Sequence, residues 1–409
     1  MNMAIARRPA PLTALLLEGI HPDAGRTLRA AGFHVRTVEG TPTGPRLKEL
    51  LRGAALLGVR SRTLMTRRLA ADAGSLLAVG SFCVGTGNVD LDACADSGIA
   101  VFNAPYSNTR SVAELVIGEL IMLRRGAFEK CRRMHAGWWD KSSAGAREIR
   151  GKRLGIIGYG NIGSQVGILA EALGMEVHYY DVREKLSVGN ARRCRSMGEL
   201  LRKADAVTLH VDDAPRNAGL IGDREFRIMK PGILLVNASR GRTVDLEALA
   251  RHLRGGRVAG AGIDVFPKEP AASRARFRSS LAGLPNVIMT PHIGGSTLEA
   301  QRDIAACVTE KLRAYARSGD TTTSVNFPQV QLPVIKNFHR ILHVHRDVPG
   351  VLSQINSLLA QGGINIAGQY LKTRDRIGYA ITDIARQYDR KTLEALRAIP
   401  ETVRLRVLY

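Results

Sequence analysis

Residues 153–181 read RLGIIGYGNIGSQVGILAEALGMEVHYYD, and the fold is decided within this stretch. An apolar run, Leu154–Ile157, leads straight into Gly158-Tyr159-Gly160-Asn161-Ile162-Gly163. An amphipathic pattern follows, and then a second apolar run that closes on Asp181. Strand, glycine turn, helix and strand in that order is the context a G-x-G-x-x-G motif needs before it signifies a dinucleotide site. Gly158 permits the tight turn, Gly160 lets the backbone approach a pyrophosphate, and Gly163 lets helix and strand pack closely. Asp181 lies 18 residues beyond Gly163, where a carboxylate accepts the ribose hydroxyls. The same carboxylate would repel a 2′-phosphate, so NAD is expected rather than NADP.

Outward from this unit the same grammar repeats. After Lys152, AVTLHV, ILLVNAS, VAGAGIDVF and VIMTPH read as strands with helical patterns between them, each apolar enough to be buried on both faces. Residues 11–101 form an earlier βα series, with strands in TALLLE, FHVRTV, ALLGV, LLAVGSF and IAVFN and helices over 22–31, 44–52 and 66–73. Two long helical patterns, one beginning at Ser111 and one over 298–317, bridge these series. GDTTTSVNFPQVQLPV, which follows, has no periodicity and reads as a linker. The last 70 or so residues run β-α-β-β-α-β, the ferredoxin-like order, which folds by itself and pairs through sheet edges.

Composition narrows the function. The chain has 409 residues, 45% hydrophobic and 23% charged, so it is globular, and at roughly 150 residues per domain it holds two or three domains. No uncharged apolar run approaches the ~20 residues a bilayer core demands, so no membrane span is expected. Five scattered cysteines without a C-x-x-C pair suit neither a disulfide framework nor a metal site and point to a reducing, cytoplasmic setting. The formal charge of +22 raises the question of nucleic acid. However, the 12 Lys and 47 Arg are spread through every segment, with no basic block and no interleaved aromatics. Nucleic-acid binding is therefore not expected.

Four segments fall at the ends of strands in the second βα series: His210; Asn237-Ala238-Ser239-Arg240-Gly241; Asp264 to Glu269; and Thr290-Pro291-His292. Open α/β sheets bind ligands outside the carboxyl ends of their strands, so these residues are expected to converge on the cofactor crevice. Hydride transfer from a 2-hydroxy acid needs a proton acceptor for the hydroxyl, a cation for the carboxylate and a group that tunes the acceptor. His292, Arg240 and Glu269 are of these types.

Taken together, VFNAPYSNTRSVAELVIGEL, LGIIGYGNIG, NASRG, IDVFPKEP, TPHIGGST and HVHRDVPGVLSQIN resemble the D-isomer-specific 2-hydroxyacid dehydrogenase family, in the form that ends with an ACT domain. The resemblance covers residues 11–409. It implies an α/β fold in three parts: a flavodoxin-like, discontinuous substrate-binding domain (1–108 and 298–330), an inserted Rossmann-like NAD-binding domain (109–297) and a ferredoxin-like ACT regulatory domain (337–409). By position the family's catalytic histidine is His292, its carboxylate partner Glu269 and its substrate-orienting arginine Arg240. Its cofactor contacts fall on Gly158, Gly160, Asn161, Ile162, Gly163, Asp181, His210, Ala238, Asp264, His292 and Gly294. Arg60, Ser61, Arg62 and Asn108 look like a cradle for a phosphorylated substrate, and Lys141 like a cation reaching across from a partner subunit.

The resemblance further implies NAD-dependent oxidation of 3-phospho-D-glycerate at the head of serine biosynthesis, a homotetramer, and serine as effector at His345, Asp347 and Asn365. Reduction of 2-oxoglutarate is a side activity that the resemblance also allows, and another D-2-hydroxy acid, an NAD-sensing scaffold and a purely oligomerising C-terminal unit are the alternatives. Three departures from the family pattern stand out. Glu39 occupies a position where relatives carry Lys, Asp212-Asp213 follow His210-Val211 where the family shows Pro, and Asp347 stands in place of Asn.

Overall fold

The computed structural model describes residues 11–270, 275–335, 338–384, 388 and 390–408. The chain divides into two compact units. Residues up to Ser107 and from Gln301 onward form the first, and Asn108–Ala300 the second.

In the first unit the N-terminal apolar runs become strands β1 (Thr13–Leu16), β2 (His34–Thr37), β3 (Ala54–Val59), β4 (Ala78–Ser81) and β5 (Ala100–Phe102). Helices α1 (Pro22–Ala30), α2 (Gly44–Leu51), α3 (Arg67–Asp72) and α4 (Leu91–Asp96) alternate with them. All strands pair in parallel in the order β2-β1-β3-β4-β5, the flavodoxin-like arrangement. Successive residues enter two different cores, one on each face. Leu16, Leu56, Ala78 and Phe102 join one, and Leu15, Leu57, Val79 and Val101 the other. That is why these strands read as continuous apolar runs rather than alternating ones. Helix α4 is absent from the sequence reading, whereas the equally short α3 falls within the expected 66–73 helix. Helix α4 starts where the Asp90 carboxylate accepts the Ala93 N–H at 2.8 Å.

The second unit opens with α5 (Thr109–Arg125), ended by Gly126 in the left-handed region at φ 59°, and α6 (Ala127–His135). The dinucleotide signature then folds as β6 (Arg153–Ile157), α7 (Asn161–Ala172) and β7 (Glu176–Tyr180), with the two-residue β8 (Arg192–Arg193) beyond it. Helices α8 (Met197–Lys203), α9 (Asp223–Ile228) and α10 (Leu246–Arg254) alternate with β9 (Ala206–Leu209), β10 (Ile233–Asn237), β11 (Val258–Ile263) and β12 (Val287–Met289). The parallel order β12-β11-β10-β9-β6-β7-β8 reverses direction between β6 and β9. That switch point opens a crevice at the strands' carboxyl ends.

Helix α11 (Leu298–Ser318) leads to the C-terminal part: β13 (His339–Arg346), α12 (Val351–Gln361), β14 (Ile366–Arg374), β15 (Ile377–Ile384), α13 (Arg390–Arg397) and β16 (Thr402–Leu408). Its antiparallel sheet has the order β14-β15-β13-β16, as a ferredoxin-like unit requires.

The stretch read as a linker is instead packed into the first unit. Thr321, Ser324, Asn326, Phe327 and Val330 are buried. The Asn326 side chain accepts the Val101 N–H at 2.8 Å and donates to the Ile99 carbonyl at 2.9 Å, finishing the edge of β5 as a further strand would. Phe327 sits between Tyr315 of α11 and Tyr379 of β15, so one continuous core runs from Phe102 through Phe327 to Leu342 and Tyr379. The physical reason is local. Thr, Ser and Asn side chains satisfy irregular backbone at close range, and such bonding leaves no periodic trace in the sequence. Among the described residues no helix is long and apolar enough to cross a membrane, and no cluster of His, Cys, Asp or Glu could hold a metal ion.

Candidate active site

The turn between β6 and α7 is built from close approaches. Gly158 sits at φ 89°, and a Cβ there would lie 2.4 Å from the His210 carbonyl oxygen. A Cβ at Gly163 would lie 2.2 Å from the Gly158 oxygen. Around Gly160, by contrast, nothing lies within 4 Å of that position, and no side chain caps α7. The first-turn amides, those of Asn161 and Ile162 included, therefore have neither an intrahelical partner nor a side-chain cap. Asp181 stands just past β7. Its two oxygens accept the N–H groups of Tyr159 at 2.8 Å and Arg183 at 2.9 Å, which fixes the carboxylate beside the turn with lone pairs to spare for hydroxyl donors. Just past β9, the His210 ring has Nε2 3.0 Å from the Thr208 hydroxyl and Nδ1 shielded, with no partner among the described residues. Burial pulls its pKa down to about 3, so the ring is neutral. This open cradle with a fixed carboxylate fits the pyrophosphate and ribose of a dinucleotide. Ala238, beyond β10, is part-buried at the edge of the core behind β6 and β10.

Three loops bring the proposed chemical residues together. The Asn237–Gly241 loop is folded on itself: Asn237 Nδ2 and Thr243 Oγ1 both donate to the Arg240 carbonyl, at 3.1 and 2.6 Å. Gly241 is pressed against Phe266, where a Cβ would lie 2.0 Å from the Phe266 carbonyl carbon. That contact sets the Arg240 loop against the loop that carries Glu269. Asp264, 1% exposed, holds the third loop. Its carboxylate accepts from the Thr290 hydroxyl at 2.7 Å and from the N–H groups of Ile293 and Gly294 at 2.8 Å, and its carbonyl accepts the His292 N–H at 2.9 Å. Over-determined in this way, His292 adopts φ 55°, a conformation that non-glycine residues seldom visit and that clusters at functional sites.

The result is a His292 Nδ1 to Glu269 Oε2 contact of 2.8 Å, with the other Glu269 oxygen accepting the Phe266 N–H at 3.0 Å. The hydrogen bond to Glu269 raises the His292 pKa above its ordinary value, against partial burial. Burial would raise that of Glu269, but the His292 bond, the Phe266 amide and the field of Arg240 together bring it below the usual carboxylate range. A carboxylate at Nδ1 keeps the proton there and leaves Nε2 as the free basic nitrogen.

The other candidates are placed as follows. Gly294 lies directly over the Asp264 carboxylate. Asn108 precedes α5 with its Nδ2 against Gly295 and its Oδ1 unpartnered among the described residues. Lys141 is exposed in the irregular segment after α6. Arg60, Ser61 and Arg62 follow β3 in the first unit, Ser61 and Arg62 exposed and Arg60 part-buried. The altered loop after His210 is pinned by its own acids: Asp212 engages Arg216 and Asn217, and Asp213 engages Arg242. In β13 the His345 ring is 2% exposed, with Nδ1 on the Arg346 carbonyl at 2.8 Å and Nε2 unpartnered among the described residues, whereas Asp347 and Asn365 are exposed.

Sequence reasoning passed over Glu119. This acid of α5 is 4% exposed, both its oxygens lack a hydrogen-bond partner among the described residues, and a Cβ at Gly262, two residues before Asp264, would lie 2.4 Å from its Oε2. Burial, aided by the Asp264 charge, pushes its pKa up to about 8. An acid interrupting the apolar run LVIGELIM was the signal available in the sequence.

Residues 117–294 match the family described as D-isomer specific 2-hydroxyacid dehydrogenase, NAD binding domain, and residues 341–404 match an AHAS small subunit-like ACT domain. The chain is 50% identical over 398 residues to D-3-phosphoglycerate dehydrogenase of Escherichia coli (strain K12), covering 97% of each chain. It is 44% identical to the enzyme of that name from Dictyostelium discoideum, again over 97% of each. Among solved structures, the TT0316 protein from Thermus thermophilus superposes with a TM-score of 0.67 at 30% identity, over 75% of this chain and 97% of that one. D-lactate dehydrogenase from Aquifex aeolicus, complexed with NAD and lactic acid, superposes with a TM-score of 0.66 at 26% identity, over 77% and 100%. The glycine turn, the fixed Asp181 and the His292–Glu269 pair thus belong to an NAD-dependent oxidoreductase, and the chain is a member of the D-isomer specific 2-hydroxyacid dehydrogenase family in the form that carries an ACT domain.

Proposed function

We propose that the chain oxidises 3-phospho-D-glycerate to 3-phosphohydroxypyruvate, the first step of serine biosynthesis. The observation that carries this reading is the His292–Glu269 pair at 2.8 Å within the field of Arg240, in a chain 50% identical to a D-3-phosphoglycerate dehydrogenase. Arg240 grips the substrate carboxylate through its planar guanidinium, which an ammonium cannot reproduce. Neutral His292 takes the C2 hydroxyl proton on Nε2 as the O–H bond breaks and the C2 carbonyl forms. Bound NAD supplies the acceptor for the hydride that leaves C2. Glu269 is a positioning residue: it orients the ring and stabilises the imidazolium until the proton passes to solvent. In the reverse direction protonated His292 returns the proton to the forming hydroxyl. Arg60, Ser61 and Arg62 are assigned to the substrate phosphate, with Asn108 and a partner's Lys141 completing the cradle.

The discontinuous substrate domain (1–108 and 298–330), the NAD domain (109–297) and the regulatory domain (337–409) belong to the same proposal, as do a cytoplasmic homotetramer and inhibition by serine at His345, Asp347 and Asn365. Asp347 can accept from the serine amine but cannot donate to its carboxylate. The test follows NADH absorbance with phosphohydroxypyruvate or 2-oxoglutarate, with and without serine. Rapid oxidation with phosphohydroxypyruvate, suppressed by serine, is expected. Turnover only with 2-oxoglutarate would overturn the substrate, and turnover indifferent to serine would overturn the effector site.

A further inference from the structure

The Arg60–Thr63 loop is gripped from both sides. Glu18, two residues after β1, is 2% exposed, and its carboxylate accepts the Arg62 N–H at 3.1 Å and the Thr63 N–H at 2.8 Å. From the opposite direction the Asn88 side-chain amide donates to the carbonyls of Arg60 at 3.1 Å and Thr63 at 2.7 Å. Two side chains distant in sequence thus tie down four backbone groups of one short loop.

Glu18 is itself an unusual residue. Its φ is 62°, in the left-handed region that non-glycine residues avoid, and its N–H is held by the Gly40 carbonyl at 3.2 Å. Burial would raise its pKa, but Thr63, Arg62 and Arg60 bring it below the ordinary carboxylate range, so the group is an anion. A buried anion stabilises a fold less well than an apolar side chain of its size, so packing alone does not account for it. The one cation paired with it among the described residues is the half-exposed Arg62 guanidinium, whose Nε lies 3.7 Å from Oε2. The Arg62 backbone is therefore clamped while nearly half of its side chain still reaches solvent.

We infer that Glu18 and Asn88 are positioning residues that hold the Arg60–Thr63 loop in the one conformation that presents Arg60, Ser61 and Arg62 to a phosphorylated substrate. This rests on the assignment of that loop to the substrate phosphate. A loop ordered beforehand loses little conformational freedom when the anion arrives, and that saving appears as affinity. Glu18 also prevents a cost of its own making, because two amides and Arg62 neutralise its charge before a phosphate comes near. Glu18→Gln keeps one amide bond and sets an NH2 group against the other N–H, so one side of the grip fails while the side-chain volume stays. Asn88→Ala removes the opposite side and leaves the Glu18–Arg62 contact intact.

The experiment compares KM for phosphohydroxypyruvate with KM for hydroxypyruvate, the same oxo acid without the phosphate, in the full-length enzyme. Losing a charge-assisted bond predicts about a tenfold rise in KM for the phosphorylated substrate in Glu18→Gln, and the neutral bonds lost in Asn88→Ala predict a rise of roughly three- to tenfold. KM for hydroxypyruvate should stay within twofold in both. A rise shared by both substrates would overturn the inference in favour of a general structural role, as would a phosphorylated-substrate KM within twofold of wild type while Arg60→Ala and Arg62→Ala raise it. If those arginine variants leave it unchanged, the phosphate assignment fails and takes the inference with it. Should Glu18→Gln not fold, Asn88→Ala decides by the same comparison.

Discussion

His292 combines a left-handed backbone with a ring tied at Nδ1 to a carboxylate, and both features bear on when the ring carries a proton. In the proposed mechanism oxidation needs the neutral ring, so its rate rises with pH through the His292 pKa. Reduction needs the protonated ring and falls across the same interval. Because the bond to Glu269 raises that pKa above the ordinary 6.5, Glu269→Gln should move both limbs toward lower pH. Profiles of kcat/KM in both directions would read this, and limbs that stayed in place would show that Glu269 does not tune the histidine. Glu119 gives a second prediction, in stability. Its folded pKa of about 8 lies above its ordinary 4.5, so the folded state binds the extra proton between these values. The stability linked to that proton is complete below about pH 4.5 and is lost as pH rises through about 8. Each displaced unit corresponds to about 1.4 kcal/mol, so Glu119→Gln should match the wild type in acid and exceed it by a few kcal/mol near pH 9 in urea unfolding. A constant difference across pH would place the ionisation elsewhere.

At the scale of elements, the segment 319–334 illustrates what a pattern of residues conceals. Its Thr, Ser, Asn and Pro content has no period, which suggests a linker, yet Asn326 alone closes three hydrogen bonds to the backbone around β5 and α4. Asn326→Ala would leave the buried Val101 N–H and Ile99 carbonyl unpaired. At about 1–3 kcal/mol for each unsatisfied group, a loss of roughly 2–4 kcal/mol is expected in denaturant unfolding. A loss below about 0.5 kcal/mol, the range of ordinary surface substitutions, would mean that the segment is dispensable to the core. The parallel strands were legible for the opposite reason: helices on both faces force runs such as ALLGV and ILLVN to be apolar throughout. The short α4 and the two-residue β8 left no such mark.

For the molecule as a whole, the two N-terminal sheets are parallel, as the βα alternation implied, and the C-terminal one has the antiparallel ferredoxin-like order that β-α-β-β-α-β implied. The cofactor turn was readable because Gly158 and Gly163 answer steric demands within it while Gly160 leaves it open, and His292, Glu269 and Arg240 were readable as a converging set because they end strands or lie in the loops that follow. Glu18, Asn88 and Glu119 were not, because each acts through backbone or burial that only the folded chain brings near. The charge of +22 has no single locus in the sequence.

Everything proposed for the chemistry depends on His292 moving the substrate proton in an enzyme that holds NAD chiefly through other residues. The direct measurement is turnover of His292→Ala with phosphohydroxypyruvate alongside its NADH affinity. General acid–base help of about 10²–10⁴-fold predicts a fall in kcat of at least 10², with NADH affinity kept within a few-fold. Turnover within a few-fold of wild type would contradict that role for His292.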